Sequence, residues 1–280
     1  MGEIMIKQYL FASDFDQTLS FNDSGLVLTE LLGIPVEEFK EKAAGMAQLN
    51  LVQQGAELAY LLLHDPAFSS RVRREHLLET GKRIPLKEDI ELLYRTLREG
   101  IPGYEFDFYV LSAAPVEIVQ SALEGIVPAD HIYGTEFKYG PTGAIERLVR
   151  CTAGYGKVTR IMQLQAEHSI GLDHVVYAGD GSSDTNAMLH VNEGDGLTIA
   201  VSESRCVTQI AKRTVLSDSA LSVLVPILEE VAHWTQPQIR RFFESHGFLM
   251  QEWARMRTDF VTLRSTSAVA PPLTAAAEAQ

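Results

Sequence analysis

Short β-rich runs alternate with helical patterns through most of this 280-residue chain, and no other feature constrains the fold as strongly. Strands are predicted at residues 9–14, 106–111, 132–137, 174–178, 197–201 and 214–216. Strands that alternate with helices of this length form βαβ units, and such units build parallel sheets. The sequence therefore predicts an α/β fold with a doubly wound, Rossmann-like parallel sheet.

Residues 26–82 depart from this alternation because their pattern is helical only. Apolar residues recur three or four positions apart, as at Phe39, Ala43 and Met46. Helices are predicted at 26–32, 36–47, 54–64 and 69–80, and Gly81 is expected to end the last one. The sequence therefore predicts a small helical domain inserted after the first strand.

These patterns divide the chain into predicted domains. An α/β core takes residues 1–20 and 85–232, and the inserted helical domain takes 21–84. Residues 233–264 carry aromatic and apolar residues in a partly helical pattern, so we expect a C-terminal helical segment that could support homo-oligomerisation. Residues 265–280 are rich in Ala, Pro, Ser and Thr and have little to bury, so a disordered tail is expected.

Composition narrows the range of partners and compartments. A net charge of −13 argues against nucleic-acid binding and against an anionic membrane surface. No apolar run approaches the length of a membrane span, and residues 1–7 lack the apolar core of a signal peptide. Two cysteines, Cys151 and Cys206, do not indicate a disulfide framework, so the sequence predicts a cytoplasmic protein.

Polar side chains stand where three of the predicted strands end. Asp14 and Asp16 follow the first strand, Ser112 follows the second, and Asp180 begins the loop after the strand at 174–178. Parallel sheets bind ligands at the carboxyl ends of their strands, so these residues are expected to meet. Strand alternation would put Asp14 and Asp16 on one face, where two carboxylates are costly to bury without a cation.

Each of these residues also has a structural interpretation when it is taken alone. Ser112 could cap a helix, and Lys157 could be a solvated helix residue. Asp180 and Asp184 could form turns in a glycine-rich loop.

Four elements in this order resemble the motifs of the haloacid dehalogenase-like superfamily. They are the run 14–18 (DFDQT), Ser112, Lys157 and the run 179–184 (GDGSSD). The helical insertion resembles the cap of the phosphoserine phosphatase-like branch of that superfamily. The resemblance spans about residues 9–225 and leaves the C-terminal segment uncovered.

This resemblance implies roles for three aspartates. Asp14 would be the nucleophile that forms an aspartyl-phosphate, and Asp16 would protonate the leaving oxygen and later deprotonate the attacking water. The family also implies Mg²⁺, held by the Asp14 carboxylate, the backbone carbonyl of Asp16 and Asp180. Oxygen ligands of this kind suit Mg²⁺.

The resemblance implies supporting roles for the other motif residues. Ser112 and Lys157 would bind the phosphoryl group, and Asp184 would orient Lys157 or a metal-bound water. Family members that act on phosphoserine resemble one another in a Glu a few residues after the first motif. Asp23 stands near that position here, one carbon shorter, and is a candidate specificity residue as well as a candidate turn or N-cap residue.

The cap region also holds arginines that could meet a substrate carboxylate. Arg71, Arg73 and Arg74 are the candidates, but nothing in the sequence directs them at the site. Their alternative interpretation is a solvated basic face of a helix. Phosphoserine is therefore one candidate substrate among several.

The leading hypothesis is Mg²⁺-dependent hydrolysis of a small phosphorylated metabolite, either phosphoserine-like or another phosphomonoester. A dehalogenase on the same fold is an alternative, although a dehalogenase has no leaving oxygen for Asp16 to protonate. A non-catalytic binding or scaffold protein is a third hypothesis. It predicts the loss of at least one of the motif residues, and the sequence retains Asp14, Asp16, Lys157 and Asp180.

Overall fold

The computed structural model describes residues 6–248 and the backbone of residues 257–258. The strands are β1 Lys7–Ser13, β2 Tyr104–Pro115, β3 Ile132–Tyr139, β4 Ile145–Arg150, β5 Val175–Gly179, β6 Leu197–Ala200, β7 Arg213–Val215 and β8 Arg257–Thr258. They form one sheet in the order β4-β3-β2-β1-β5-β6-β7-β8, antiparallel only at β3–β4 and β7–β8. The predicted α/β fold with a doubly wound parallel sheet is confirmed.

Helices surround this sheet and fill the connections between its strands. Their bounds are α1 Ser24–Leu31, α2 Val36–Gln48, α3 Glu57–His64, α4 Pro66–Ser69, α5 Arg74–Arg83, α6 Ile90–Arg95, α7 Val116–Ala122, α8 Tyr155–His168, α9 Thr185–Glu193, α10 Arg205–Thr208, α11 Leu224–Pro226 and α12 Gln236–Ser245. Within the described part of the chain, no helix is both long and apolar enough to cross a membrane.

The central strand β1 explains why its sequence is continuously apolar. It lies between β2 and β5, and both neighbours run parallel to it. Leu10, Phe11 and Ala12 are fully buried. Phe11 packs into one hydrophobic cluster while Leu10 and Ala12 pack into another, so a core layer covers each face of the sheet.

Helices α1 to α5 all lie between β1 and β2, as the helical pattern predicts. Their apolar faces share one core with one side of the sheet, through buried residues such as Leu28 and Phe68. The Phe39 ring of α2 stands 6.2 Å from the Phe68 ring of α4. We call α1 to α5 with their connecting loops the helical insertion. The residue limits of the domains stay a prediction.

The expectation that Gly81 ends a helix is wrong, because α5 continues through it to Arg83. Gly81 is buried where α5 packs on α7. A Cβ at this position would collide with the carbonyl oxygen of Ile118 and lie 2.7 Å from the Cβ of Ser121. The glycine therefore serves close packing of two helices rather than a turn.

The sheet differs from the sequence prediction at its two edges. Residues 145–150 are not among the predicted strands, but they form β4, whose residues are mostly exposed. The strand predicted at 214–216 was expected to be an edge, yet β7 pairs with β8. β8 lies inside the predicted C-terminal helical segment, of which α12 is observed. Residues 249–256 and the predicted disordered tail at 265–280 lie outside the described residues.

Substitution of Gly81 by Ala should destabilise the protein by about 1–3 kcal/mol, since the new methyl group has no room between α5 and α7. Gly45→Ala in α2 is the matched control. A Cβ at Gly45 meets no atom within 4 Å, so this change should stabilise its helix by up to about 1 kcal/mol. Urea denaturation of both variants measures these changes, and equal effects of the two would contradict the packing role of Gly81.

Candidate active site

The site forms at the carboxyl ends of the three central strands. β1 ends at Ser13 and β5 ends at Gly179, and the register of the sheet places Ser13 beside both Val110 of β2 and Ala178 of β5. Asp14 and Asp180 therefore leave the sheet at the same edge. The structure brings Asp14 and Asp180 together at this edge.

Asp14 is 3% exposed and tightly positioned. Its amide donates a hydrogen bond to the carbonyl of Ala178 at 2.9 Å, which continues the β1–β5 pairing by one residue. The carboxylate oxygen Oδ1 accepts a hydrogen bond from the Phe15 amide at 2.7 Å and lies 2.9 Å from Nζ of Lys157. These contacts fix the position of the Asp14 carboxylate.

A tight turn, rather than strand alternation, brings Asp16 to the same cavity. β1 ends before Asp14, and the amides of residues 18–20 all donate to the carbonyl of Phe15 while Gln17 takes a φ of 56°. Oδ1 of Asp16 then accepts two hydrogen bonds from Ser24, from its amide at 3.0 Å and its hydroxyl at 2.5 Å. Asp14 and Asp16 therefore line the same cavity, but they share no strand face because both lie beyond the end of β1.

Lys157 is a buried ion-pair centre and not a solvated helix residue. It begins α8, is fully buried, and places Nζ 2.6 Å from Oδ1 of Asp184 in addition to its contact with Asp14. The Tyr177 hydroxyl donates to the same Asp184 oxygen at 2.6 Å. The amides of Asp180 and Gly181 donate to the other oxygen at 3.0 and 3.1 Å, so Asp184 is held from four sides.

Three carboxylates stand close enough to share one metal ion. Asp14, Asp180 and Asp184 each offer an oxygen, and these oxygens lie within 4.8 Å of one another. Two of the three residues are those that the family resemblance implies as Mg²⁺ ligands through their side chains. Carboxylate oxygens suit Mg²⁺, and burial without enough positive charge is what a bound cation would relieve, so the donor set fits the ion.

Burial sets the protonation of this cluster. It raises the pKa of Asp14 and of Asp16 well above the usual range, with Asp184 adding to the effect on Asp14 and Asp23 adding to the effect on Asp16. Burial and the nearby Asp184 charge raise the pKa of Asp180 to about 7. Burial opposes the charge of Lys157, but its two carboxylate partners outweigh burial and raise its pKa.

The cavity above the carboxylates is small, at about 260 Å³. The core contributes both Asp14 and Asp16, together with Ala113, Ala114 and the loop at 180–183. The side of the cavity that faces the helical insertion is formed by Asp23, Gly25, Phe39, Ala43, Gly55, Glu57 and Leu58. The helical insertion therefore closes over the strand ends.

Two predicted phosphate-binding residues lie behind the cavity wall. Ser112 is fully buried within β2, and its Oγ accepts a hydrogen bond from the Ala114 amide at 3.1 Å. Ala113 and Ala114 line the cavity in its place. Lys157 is reached through Asp14, to which it is bonded.

Asp23 is observed as an N-cap residue, and its role as a specificity residue stays a prediction. It is the N-cap of α1, where Oδ1 accepts a hydrogen bond from the Leu26 amide at 3.1 Å, and it also lines the cavity. Burial raises the pKa of Asp23. Burial also raises the pKa of Glu57, which lines the same cavity.

Sequence reasoning missed Ser24, Glu57 and Tyr177. Ser24 follows the N-cap Asp23, so it read as turn chemistry, and Glu57 begins a helix, where acidic residues are common. Tyr177 read as one apolar position of a buried strand. The signal in the sequence was the Tyr177 hydroxyl itself, since a polar group in a buried strand near Asp184 needs a hydrogen-bond partner.

The chain is similar to known hydrolases in both sequence and structure. A family model described as haloacid dehalogenase-like hydrolase matches residues 11–189. No curated protein matches the chain. Among solved structures, a phospho-aspartyl intermediate analogue of phosphoserine phosphatase is similar at 19% identity and a TM-score of 0.62, covering 78% of this chain and 98% of that one.

Two further solved structures share the same architecture. A substrate-bound phosphoserine phosphatase complex is 19% identical, with a TM-score of 0.62 and coverage of 78% of this chain and 98% of that chain. A phosphoserine phosphohydrolase-like protein from Francisella tularensis is 20% identical, with a TM-score of 0.60 and coverage of 78% and 99%. Likeness at these identities shows the fold.

The stability of the metal-free protein should depend on pH through the ionisation of Asp180. Its folded pKa of about 7 lies above its ordinary value of 3.8, so between these values the folded chain retains a proton that the unfolded chain has released. Asp180 therefore costs stability increasingly as the pH rises through this window. Asp180→Asn removes this cost and should stabilise the protein in EDTA more at about pH 7.5 than at about pH 5.

Urea denaturation at the two pH values measures this difference, and Asp195→Asn, at an exposed residue, is the control. Added Mg²⁺ should stabilise the wild type more at the higher pH and should stabilise Asp180→Asn less. An effect of Asp180→Asn that is independent of pH would contradict the assignment.

Proposed function

The chain belongs to the haloacid dehalogenase-like hydrolase family, and from this premise we propose that it is a Mg²⁺-dependent phosphatase that hydrolyses a small phosphomonoester. Family membership confirms the predicted resemblance and the prediction of a hydrolase enzyme. The observation that carries the proposal is the Asp14–Lys157–Asp184 ion-pair chain, with Asp16 and Asp180 beside it, at the base of a cavity that the helical insertion borders.

We propose that Mg²⁺ is held by Asp14, the backbone carbonyl of Asp16 and Asp180. The ion supplies charge neutralisation for the incoming phosphoryl group and for the transition state. The three clustered carboxylates support this choice of ligands for two of the three positions. Both carboxylate oxygens of Asp184 accept hydrogen bonds, from Lys157, from Tyr177 and from two backbone amides. We therefore assign Asp184 to positioning Lys157.

Asp14 is the proposed nucleophile. The Lys157 ammonium and the Phe15 amide both contact Oδ1, so Oδ2 is the oxygen that we assign to attack on phosphorus. The attack forms an aspartyl-phosphate and expels the alcohol oxygen, and a water molecule later hydrolyses the acyl phosphate. The Lys157 charge opposes the rise that burial causes in the pKa of Asp14.

Asp16 is the proposed general acid and base. Burial and the neighbouring Asp23 raise its pKa, which favours the protonated form that a general acid needs. Both hydrogen bonds from Ser24 fall on Oδ1, so the proton is carried by Oδ2. Asp16 gives this proton to the leaving alcohol and accepts one from the attacking water.

Ser112 and Lys157 are the proposed phosphoryl-binding residues. The Ser112 Oγ accepts a hydrogen bond from the Ala114 amide, so its own proton is available to a phosphoryl oxygen. The Lys157 charge lies directly behind Asp14, where negative charge accumulates during transfer. These roles follow the family motifs.

The helical insertion is the proposed cap of the active site. Gly55 lies on the loop before α3 and faces the core, since a Cβ there would lie 2.7 Å from the Cβ of Ser183. The side chain of Gln53 donates to the carbonyl of Ala153 across the same junction. A cavity of about 260 Å³ suits a small metabolite better than a phosphoprotein.

We also propose a cytoplasmic location and a small-molecule partner. Cys151 and Cys206 are both free thiols, as in a reducing compartment, and the net charge of −13 opposes nucleic-acid binding.

Phosphate release from small phosphomonoesters tests the proposal. The wild type should turn over at least one ester with Mg²⁺ and lose activity in EDTA, while Asp14→Asn should reduce turnover to background because the amide cannot attack phosphorus. Glu37→Gln, at a 79%-exposed residue of α2, is the control and should retain full activity. Activity that survives in Asp14→Asn would contradict the aspartyl-phosphate route.

Asp16→Asn separates the acid role from binding. Its loss of kcat should be larger for alkyl phosphates than for p-nitrophenyl phosphate, because p-nitrophenolate leaves without a proton. An equal loss for both classes of ester would assign Asp16 to another role.

Gly55→Ala should lower kcat/KM by about tenfold, since a Cβ would press on Ser183 and hold the insertion away from the core. Gly125→Ala is the matched control. Gly55 and Gly125 have φ values of 88° and 80°, so both substitutions carry backbone strain, but a Cβ on Gly125 meets nothing within 4 Å. Steady-state kinetics should show a loss only for Gly55→Ala, and equal losses would attribute the effect to strain.

A further inference from the structure

Two carboxylates of the cavity have no part in the proposed chemistry. Asp23 and Glu57 line it beside Asp14, Asp16 and Asp180, which already serve catalysis and metal binding. Asp23 comes from the start of α1 and Glu57 from the start of α3, so the helical insertion supplies both. Their presence leaves negative charge that the proposed mechanism does not use.

These carboxylates lie toward the alcohol of the substrate. Asp23 is close enough to Asp16 for its charge to be the second-largest influence on the pKa of Asp16. Asp16 is the residue that meets the leaving oxygen in the proposed function. Glu57 in turn interacts with Asp23, so the two acids extend from the leaving oxygen into the insertion side of the cavity.

An aromatic ring accompanies them. Phe39 lines the cavity, and its Cζ lies 2.5 Å from the position that a Cβ on Gly25 would take, where Oδ1 of Asp23 lies at 2.9 Å. The ring and the carboxylate are therefore neighbours across Gly25. An aromatic face next to carboxylates is a surface that binds an organic cation well.

Positive side chains are missing from this part of the cavity. Among the described residues that line it, none is Lys or Arg. Lys157 lies beneath the floor and is paired with Asp14 and Asp184. Lys87 interacts with Asp180 but lies outside the cavity lining.

The arginines of the insertion are engaged elsewhere. Arg71 donates to the carbonyls of Leu32 and Gly33, and Arg73 donates to those of Ser70 and Val72. Arg74 lies 3.7 Å from Glu117. A substrate carboxylate would therefore meet acids and an aromatic ring.

A second metal ion is a weaker explanation of the same charges. The described carboxylates whose oxygens come within 4.8 Å of one another are Asp14, Asp180 and Asp184, and neither Asp23 nor Glu57 joins that group. Two acids outside the three-carboxylate group, beside an aromatic ring, fit an organic cation better than a second metal ion.

We propose that the substrate is a phosphomonoester of an amino alcohol, with a cationic ammonium group held by Asp23, Glu57 and Phe39 and with no carboxylate. This inference rests on the proposed function, because Asp16 defines which side of the cavity receives the alcohol. It separates the substrate from phosphoserine, whose carboxylate has no partner among the cavity residues described.

Matched esters test the substrate class. 2-Aminoethyl phosphate and 2-hydroxyethyl phosphate differ only in the ammonium group, and phosphoserine adds a carboxylate to the first. The kcat/KM for 2-aminoethyl phosphate should exceed that for each of the others by about tenfold or more, the effect of one charged hydrogen bond. Asp23→Asn and Glu57→Gln should each reduce this ratio, and Glu37→Gln should leave it unchanged. Asp23→Asn should in addition lower activity on all three esters, because burial and the Asp23 charge together raise the pKa of Asp16. Equal kcat/KM values, or a preference for phosphoserine, would overturn the inference.

Binding tests the inference even if no ester is hydrolysed. 3-Aminopropylphosphonate, 3-hydroxypropylphosphonate and 2-amino-4-phosphonobutyrate replace the scissile oxygen of the three esters by carbon, and calorimetry with Mg²⁺ should rank the first as tightest. Binding in this order without any phosphate release would fail the proposed function and retain the cation site. Phosphate release from all esters at equal efficiency would retain the function and fail the cation site, and absence of binding would also overturn the site.

Discussion

The buried contact of Lys157 with Asp14 and Asp184 is the interaction on which the rest of the site depends. An ammonium group without solvent exposure is costly to bury, and here two carboxylates at 2.9 and 2.6 Å compensate for it. The same contact makes two neighbouring carboxylates tolerable in the core. Tyr177 and the amides of residues 180 and 181 then fix Asp184, so the position of Lys157 is set by the loop after β5.

Sheet topology delivers these groups to one point. Parallel strands with β1 at the centre send their carboxyl ends to the same edge, and the pairing of Asp14 with Ala178 aligns the two acidic loops. The single crossover from β1 to β2 carries all of the helical insertion. The two ends of the insertion meet where Ser20 bridges to Leu86, and its first helix starts beside Ser24, whose amide and hydroxyl bind Asp16.

The sequence could predict the catalytic floor because its residues belong to local motifs at strand ends, as with Asp14 and the run 179–184. It could not predict features that depend on contacts between distant segments. Gly81 looks like a helix stop until α7 is packed against it, and β4 has no buried face to produce a strand pattern. In the sequence, Glu57 is an ordinary acidic residue at the start of a helix. Only the folded chain brings it close to Asp23.

Charge explains how closure and specificity are connected. The floor holds one ammonium for several carboxylates, so the closed cavity is short of positive charge until a cation enters. A metal ion held by Asp14 and Asp180 would relieve part of this deficit, but Asp23 and Glu57 do not belong to the group of carboxylates that could share that ion. A substrate that brings its own positive charge to these two acids stabilises closure, whereas an anionic alcohol opposes it. The negative charge of the insertion thereby favours a substrate that carries a positive charge.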